Sequence, residues 1–148
     1  MVPCSRSPAL GGYVITVYDL RRDTEHVAKV QRATLTTPNF GLEPTHGMFG
    51  SPEWWEALDS GKLPRRTLRG EIARVYMGSV NDWPEFEMRA DDGTLSSWSQ
   101  HANEPALAEY YRVGRPVELD YVLQRTRPAS GMGPELKVVV AVRVGAAA

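Results

Sequence analysis

A chain of 148 residues with 42% apolar and 24% charged side chains is long enough to bury a core and too ordinary in composition for a disordered or fibrous class. Its 17 basic and 18 acidic side chains give a formal charge of -1, so the molecule as a whole carries no field that would gather nucleic acid or an anionic membrane. The single cysteine, Cys4, excludes an intramolecular disulfide and a cysteine-built zinc cage and fits a reducing compartment, so the expected location is cytoplasmic.

Met1–Gly12, with Pro3, Pro8 and Gly11-Gly12, reads as an irregular lead-in. No apolar run reaches the ~18–20 residues of a membrane span, and no basic segment leads into an apolar one as a secretion signal requires. Tyr13–Leu20 and Val27–Leu35 are rich in β-branched side chains, and the polar Arg21–His26 between them predicts a hairpin. Thr36–Gly50 is broken by Pro38, Gly41, Pro44, Gly47 and Gly50, which predicts a long loop. Because it carries Phe40, Leu42, Met48 and Phe49, this loop is expected to lid the core, with a binding loop as the alternative.

Ser51-Pro52-Glu53 is a helix start: a hydroxyl to cap free amides, a proline with its φ already set, and an acid at the positive helix end. The predicted helix, Pro52–Ser60, stops at Gly61 and packs by Trp54, Trp55 and Leu58. Two adjacent indoles cannot share one direction, so one is expected at the edge of the core or with its ring nitrogen hydrogen-bonded. Gly61–Gly70 then holds Lys62, Arg65, Arg66 and Arg69 with no acid.

Three antiparallel strands are predicted next, Thr67–Met77, Trp83–Ala90 and Leu95–Gln100. Apolar residues in the first change parity, from Leu68 and Ile72 to Val75 and Met77, as a β-bulge would produce. The second alternates, with Phe86, Met88 and Ala90 inward and Glu85, Glu87 and Arg89 outward. A two-residue Asp92-Gly93 turn would pair Glu87 with Trp98 and put the indole outside; a loop one residue longer would turn it inward. A short helix opening at Asn103 or Glu104 and ended by Gly114 follows, packing by Leu107 and Tyr110 or Tyr111. Then come a strand alternating Val117, Leu119, Tyr121 and Leu123 against Glu118, Asp120 and Gln124, a protruding loop over Arg125–Pro134, and a last strand with Leu136, Val138, Val140, Val142 and Val144 on one face.

Three strands, a short helix and two strands, with a bent first strand, make Gly70–Val144 resemble the oligonucleotide/oligosaccharide-binding (OB) fold, a five-stranded Greek-key barrel. The fold class expected is therefore mainly β: an OB-like barrel over residues 67–145, preceded by a hairpin, a packed loop and a tryptophan-bearing helix over 13–66, all in one domain. The resemblance is to a fold and carries no family signature.

The histidines His26, His46 and His101 are isolated from one another, and only His46, in the Pro/Gly loop, sits where chemistry would be at home. Asp82, Asp91 and Asp92 are explained by turn chemistry, Ser51 by helix capping, and Gly47-Met48-Phe49-Gly50 lacks the ending of a phosphate loop, so no metal, cofactor or catalytic residue is expected. The reading preferred is a non-catalytic module that binds a protein or peptide through Trp98, Arg89, His46, Phe49, Trp54 and Trp55, residue types among those favoured at interfaces or set in loops. The alternative is single-stranded or structured nucleic acid held by Lys62, Arg65, Arg66, Arg69, Arg125 and Arg127, against which Glu85 and Glu87 on the ligand face would repel phosphate.

Overall fold

The computed structural model describes residues 14–36, 48–78, 83–125 and 135–145. The lead-in, Phe40, Leu42, His46, Arg127 and the body of the Arg125–Pro134 loop lie outside them. Six strands form one antiparallel sheet: β1 (Val14–Asp19), β2 (Arg66–Met77), β3 (Pro84–Ala90), β4 (Leu95–Ser99), β5 (Pro116–Arg125) and β6 (Glu135–Gly145). The order across it is β1-β6-β5-β2-β3-β4, so β5 returns to lie beside β2 and the four strands β5-β2-β3-β4 stand in Greek-key order. Packing divides the chain into two units, one of Met1–Asp19, Thr67–Leu119 and Ala141–Ala148, the other of Leu20–Arg66 and Asp120–Val140, and β5 and β6 run through both.

In the first unit the core is Val17, Ile72, Phe86, Met88, Tyr111, Val117, Leu119, Val142 and Val144. The parity change in β2 is a bulge: its register against β3 shifts between Ile72 and Arg74. Gly70 faces Ala90 so closely that a Cβ would stand 1.9 Å from the Arg89 carbonyl oxygen, which is why β2 carries no side chain there. At the next turn Ala90 N–H donates to Thr94 O (2.8 Å) and Gly93 N–H to Ala90 O (2.8 Å), with Gly93 at φ 90. The loop is thus the longer one, Asp91-Asp92-Gly93, with glycine in the left-handed position. Phe86 consequently pairs with Trp98, and the indole turns inward to 7% exposure, donating to Ser96 Oγ at 2.8 Å. The outward Trp98 of the two-residue register is corrected accordingly.

The segment between β4 and β5 is a 3-10 helix, Pro105–Tyr110, with none of its residues buried. Of the two residues expected to open it, Glu104 occupies the N-cap position. Glu104 makes no side-chain cap, and the Asn103 carboxamide instead accepts from Asp19 N–H (2.7 Å) and donates to Asp19 O (3.1 Å), while Asn103 N–H donates to Val17 O (3.0 Å). Asn103 thereby serves the outer edge of β1 as a strand neighbour would. Tyr111 is the packing aromatic, 5.0 Å from Phe86 and bonded through its hydroxyl to His101 O; burial pushes its phenol far above the ordinary range.

The second unit corrects the predicted N-terminal hairpin, because Thr24–Thr36 is a helix, α1. Asp23 starts it, its carboxylate accepting from His26 N–H (3.3 Å) and its carbonyl from Val27 N–H (3.2 Å). The β-branched Val27, Val30 and Thr34 recur at helical spacing on the side turned from solvent, between the helix formers Ala28, Lys29, Gln31 and Arg32. Strand propensity gave way to this periodicity. Helix α2 (Pro52–Ser60) is as expected: Ser51 Oγ accepts from Trp54 N–H at 3.3 Å, and Gly61 at φ 86 closes it with N–H donated to Leu58 O.

Strand β5 departs from simple alternation, since Glu118, Asp120 and Gln124 are as buried as the apolar face. A central strand of a sheet is covered on both sides, so its polar row must find partners inside. In the first unit Glu118 takes Arg69 Nε (2.5 Å) and Arg143 Nε (2.7 Å) on its two oxygens. In the second, Asp120 lies 3.8 Å from Arg65, and Gln124 Oε1 accepts the Trp54 indole N–H at 3.0 Å.

Candidate protein-binding surface

The residues marked in the sequence separate into core and surface. Phe49 and Trp54 are buried and pack edge to face at 4.8 Å; with Trp98 they hold the fold and offer nothing to a partner, which removes them from the binding set. Trp55 is half-buried, edge-on to Trp54 at 4.8 Å and covered by the Arg21 guanidinium at 4.2 Å, and Arg21 is held in turn by Asp59 at 2.6 Å. So the two indoles do diverge: one is buried with its N–H bonded, the other lies at the edge. His46 and Arg127 are outside the described residues.

Of the basic set, Arg65 and Arg69 are committed to Asp120 and Glu118. Lys62, Arg66 and Arg125 are exposed. His26 lies edge-on to Phe49 at 6.4 Å and His101 stacks on Tyr18 at 4.7 Å, so each is engaged with a ring. Among the described residues no three His, Cys, Asp or Glu side chains stand together as metal ligands would.

What remains is the outward face of β2, β3 and β4 in the first unit. Its cross-strand rows are Glu71, Arg89 and Leu95; Arg74, Glu87 and Ser97; and Tyr76, Glu85 and Ser99. Trp98, outward in the two-residue register, is on the other face with Ser96. Arg89 reaches Glu71 at 3.4 Å and Arg74 reaches Glu87 at 4.0 Å while lying over the Tyr76 ring at 4.1 Å. Glu85 makes no ion pair among the described residues. Along this face three carboxylates meet two guanidiniums. At the adjoining turn Asp92 accepts from Thr94 N–H at 2.9 Å, and that backbone bond holds its carboxyl below the usual range.

Toward the end of the β2–β3 ladder three large apolar side chains are left in water: Trp83 at 54% exposure just before β3, and Met77 at 47% and Val75 at 38%, which pair with Pro84 and Phe86 on the face opposite Arg74, Tyr76, Glu85 and Glu87. Gly78 N–H donates to Trp83 O at 2.6 Å, one step beyond the last ladder pair, Met77 and Pro84. The other exposed large apolar residues among those described, Leu35, Leu95, Val113 and Leu136, belong to separate elements and need no explanation. Aromatics, Met and Arg are the types that concentrate at the centres of protein interfaces, and Trp83, Met77, Tyr76 and Arg74 all lie toward this end of the ladder. Reading Trp83 as an ordinary strand residue missed this. The signal was Asp82-Trp83-Pro84: an indole at a turn, before a proline that begins a strand.

The family model described as "Immunity protein RhsI2" matches residues 14–145, from the first residue of β1 to the last of β6. The chain belongs to the RhsI2 immunity protein family. No curated protein matches it.

Proposed function

We propose that this chain is a non-catalytic immunity protein that neutralises a toxin protein by binding it, with the exposed end and outward face of β2–β3 as the contact surface. The observation that carries the surface is Trp83: a large indole, 54% exposed, at the end of the β2–β3 ladder that also carries Met77, Val75 and the Arg74–Tyr76 pair. Family membership supplies the class of partner. Action in the cytoplasm is part of the same reading and agrees with the single Cys4.

The order β6-β5-β2-β3-β4 also supports the OB-like reading, since it places the fourth of those strands beside the first, as in a partly open five-stranded Greek key. The nucleic-acid use of such a fold gains nothing from it, because Arg65 and Arg69 are spent on internal carboxylates.

The test is rescue of growth. Reading frames flanking the gene are expressed singly, and one that arrests growth alone should be silenced when this chain is co-expressed. Trp83→Ala is expected to weaken binding of that polypeptide about thirtyfold or more, as loss of an interface anchor does. Its unfolding free energy should stay within about 1 kcal/mol of wild type. Unchanged affinity in a folded Trp83→Ala protein would move the contact surface elsewhere.

A further inference from the structure

We infer that the outer edge of β4 accepts a β-strand of the toxin, one that carries lysine or arginine on the side facing Glu85 and Glu87. This rests on the reading above and names the mode and chemistry of the contact. The sheet order leaves β4 as an edge. Its bonds to β3 run through Thr94 O and Gln100 N–H, so Thr94, Ser96, Trp98 and Gln100 direct their backbone groups to β3. Leu95, Ser97 and Ser99 then direct theirs outward. Ser99 O is taken by His101 N–H at 2.9 Å, which leaves both groups of Leu95, both groups of Ser97 and Ser99 N–H without a backbone partner among the described residues.

Natural edges are blunted by charge, proline or a bulge. The segment Leu95-Ser96-Ser97-Trp98-Ser99 has no charged residue and no proline, and its register against β3 runs without a shift. On β1, the other edge, Asn103 occupies the backbone groups of Val17 and Asp19. An unguarded edge is the surface that strand addition uses.

Charge selects the occupant. Ser97 and Ser99 are too short to screen Glu87 and Glu85, their neighbours on β3, so a long basic side chain from an added strand can reach over them. Among the described residues Glu85 has no ion pair, and Glu87 has one contact at 4.0 Å. A second copy of this chain does not answer that charge, because its own β4 would bring Leu95, Ser97 and Ser99 and no cation.

The experiment uses two synthetic peptides, alternating lysine–valine and alternating glutamate–valine, titrated into the isotope-labelled full chain with amide signals followed by NMR. The lysine peptide is expected to shift Leu95, Ser97 and Ser99 selectively and to bind about tenfold more tightly than the glutamate peptide. Ser97→Pro removes an outward N–H at an edge position that tolerates proline, and should abolish the shifts. Glu85→Lys with Glu87→Lys should reverse the peptide preference, a result that does not depend on Ser97→Pro folding. Equal binding of both peptides, no shift at these amides, or self-association through them would overturn the proposal. Peptide binding without growth rescue would remove the toxin reading while sparing the edge; rescue without peptide binding would remove the edge and spare the toxin.

Discussion

Trp54→Ala is expected to lower the unfolding free energy by about 3–5 kcal/mol, the cost of emptying a fully buried aromatic site. Trp54 is wholly enclosed, 4.8 Å from both Phe49 and Trp55, and its N–H donates to the equally buried Gln124. Truncation therefore takes the packing of two rings and a buried hydrogen bond together. Trp54→Phe separates these contributions: it keeps most of the ring contact, loses the N–H, and should cost about 1–3 kcal/mol. Urea unfolding measures both, with an unchanged slope showing that the native and denatured ensembles are comparable. A loss below 1 kcal/mol for the alanine variant would mean that the second unit repacks around the gap.

The Arg69→Met, Arg143→Met double variant should cost about 3–5 kcal/mol, although each substitution keeps the aliphatic bulk. Glu118 is 3% exposed and its two oxygens are met by these two guanidiniums, so removing both strands an ionised carboxyl inside the sheet. Glu118→Gln should cost clearly less, because Arg69 and Arg143 are part-exposed and can turn to water. Unfolding curves of the three proteins check the asymmetry, and equal losses would mean that the arginines, not the carboxylate, carry the penalty. The same geometry bears on function: a guanidinium that holds Glu118 is not available to a phosphate.

What could be read from the chain follows from how local each signal is. Ser51-Pro52-Glu53 and Gly61 bound α2 through bonds made within a few residues, and the bulge in β2 is printed in the parity of Ile72 against Val75, so both were legible. The hairpin predicted for Tyr13–Leu35 failed because Val27, Val30 and Thr34 favour strands one by one, whereas Asp23 and the helical spacing decide the matter together. Trp98 turned on one residue of loop length, which Asp91-Asp92-Gly93 leaves open: either turn suits those residues, and the choice inverts every side chain of β4.

The candidate surface was legible in its charges and illegible in its anchor. Glu85, Glu87 and Arg89 announce an outward face by alternation, but the indoles marked for binding are those that hydrophobic burial claims first. Trp83 stays outside because it lies at the end of a ladder, and that position depends on where β3 begins. The polar row Glu118, Asp120 and Gln124 likewise looked like a solvent face, and only its place in the middle of the sheet makes it interior.

The central claim is neutralisation by occupancy. It is tested most directly by titrating this chain into a fixed amount of the growth-arresting polypeptide identified by rescue, measuring residual toxin activity and then the intact mass of the toxin recovered from the complex. Activity should fall linearly to zero at equimolar chain, and the recovered toxin should have unchanged mass and full activity. Silencing by substoichiometric chain, or a toxin altered in mass, would show catalysis and contradict it.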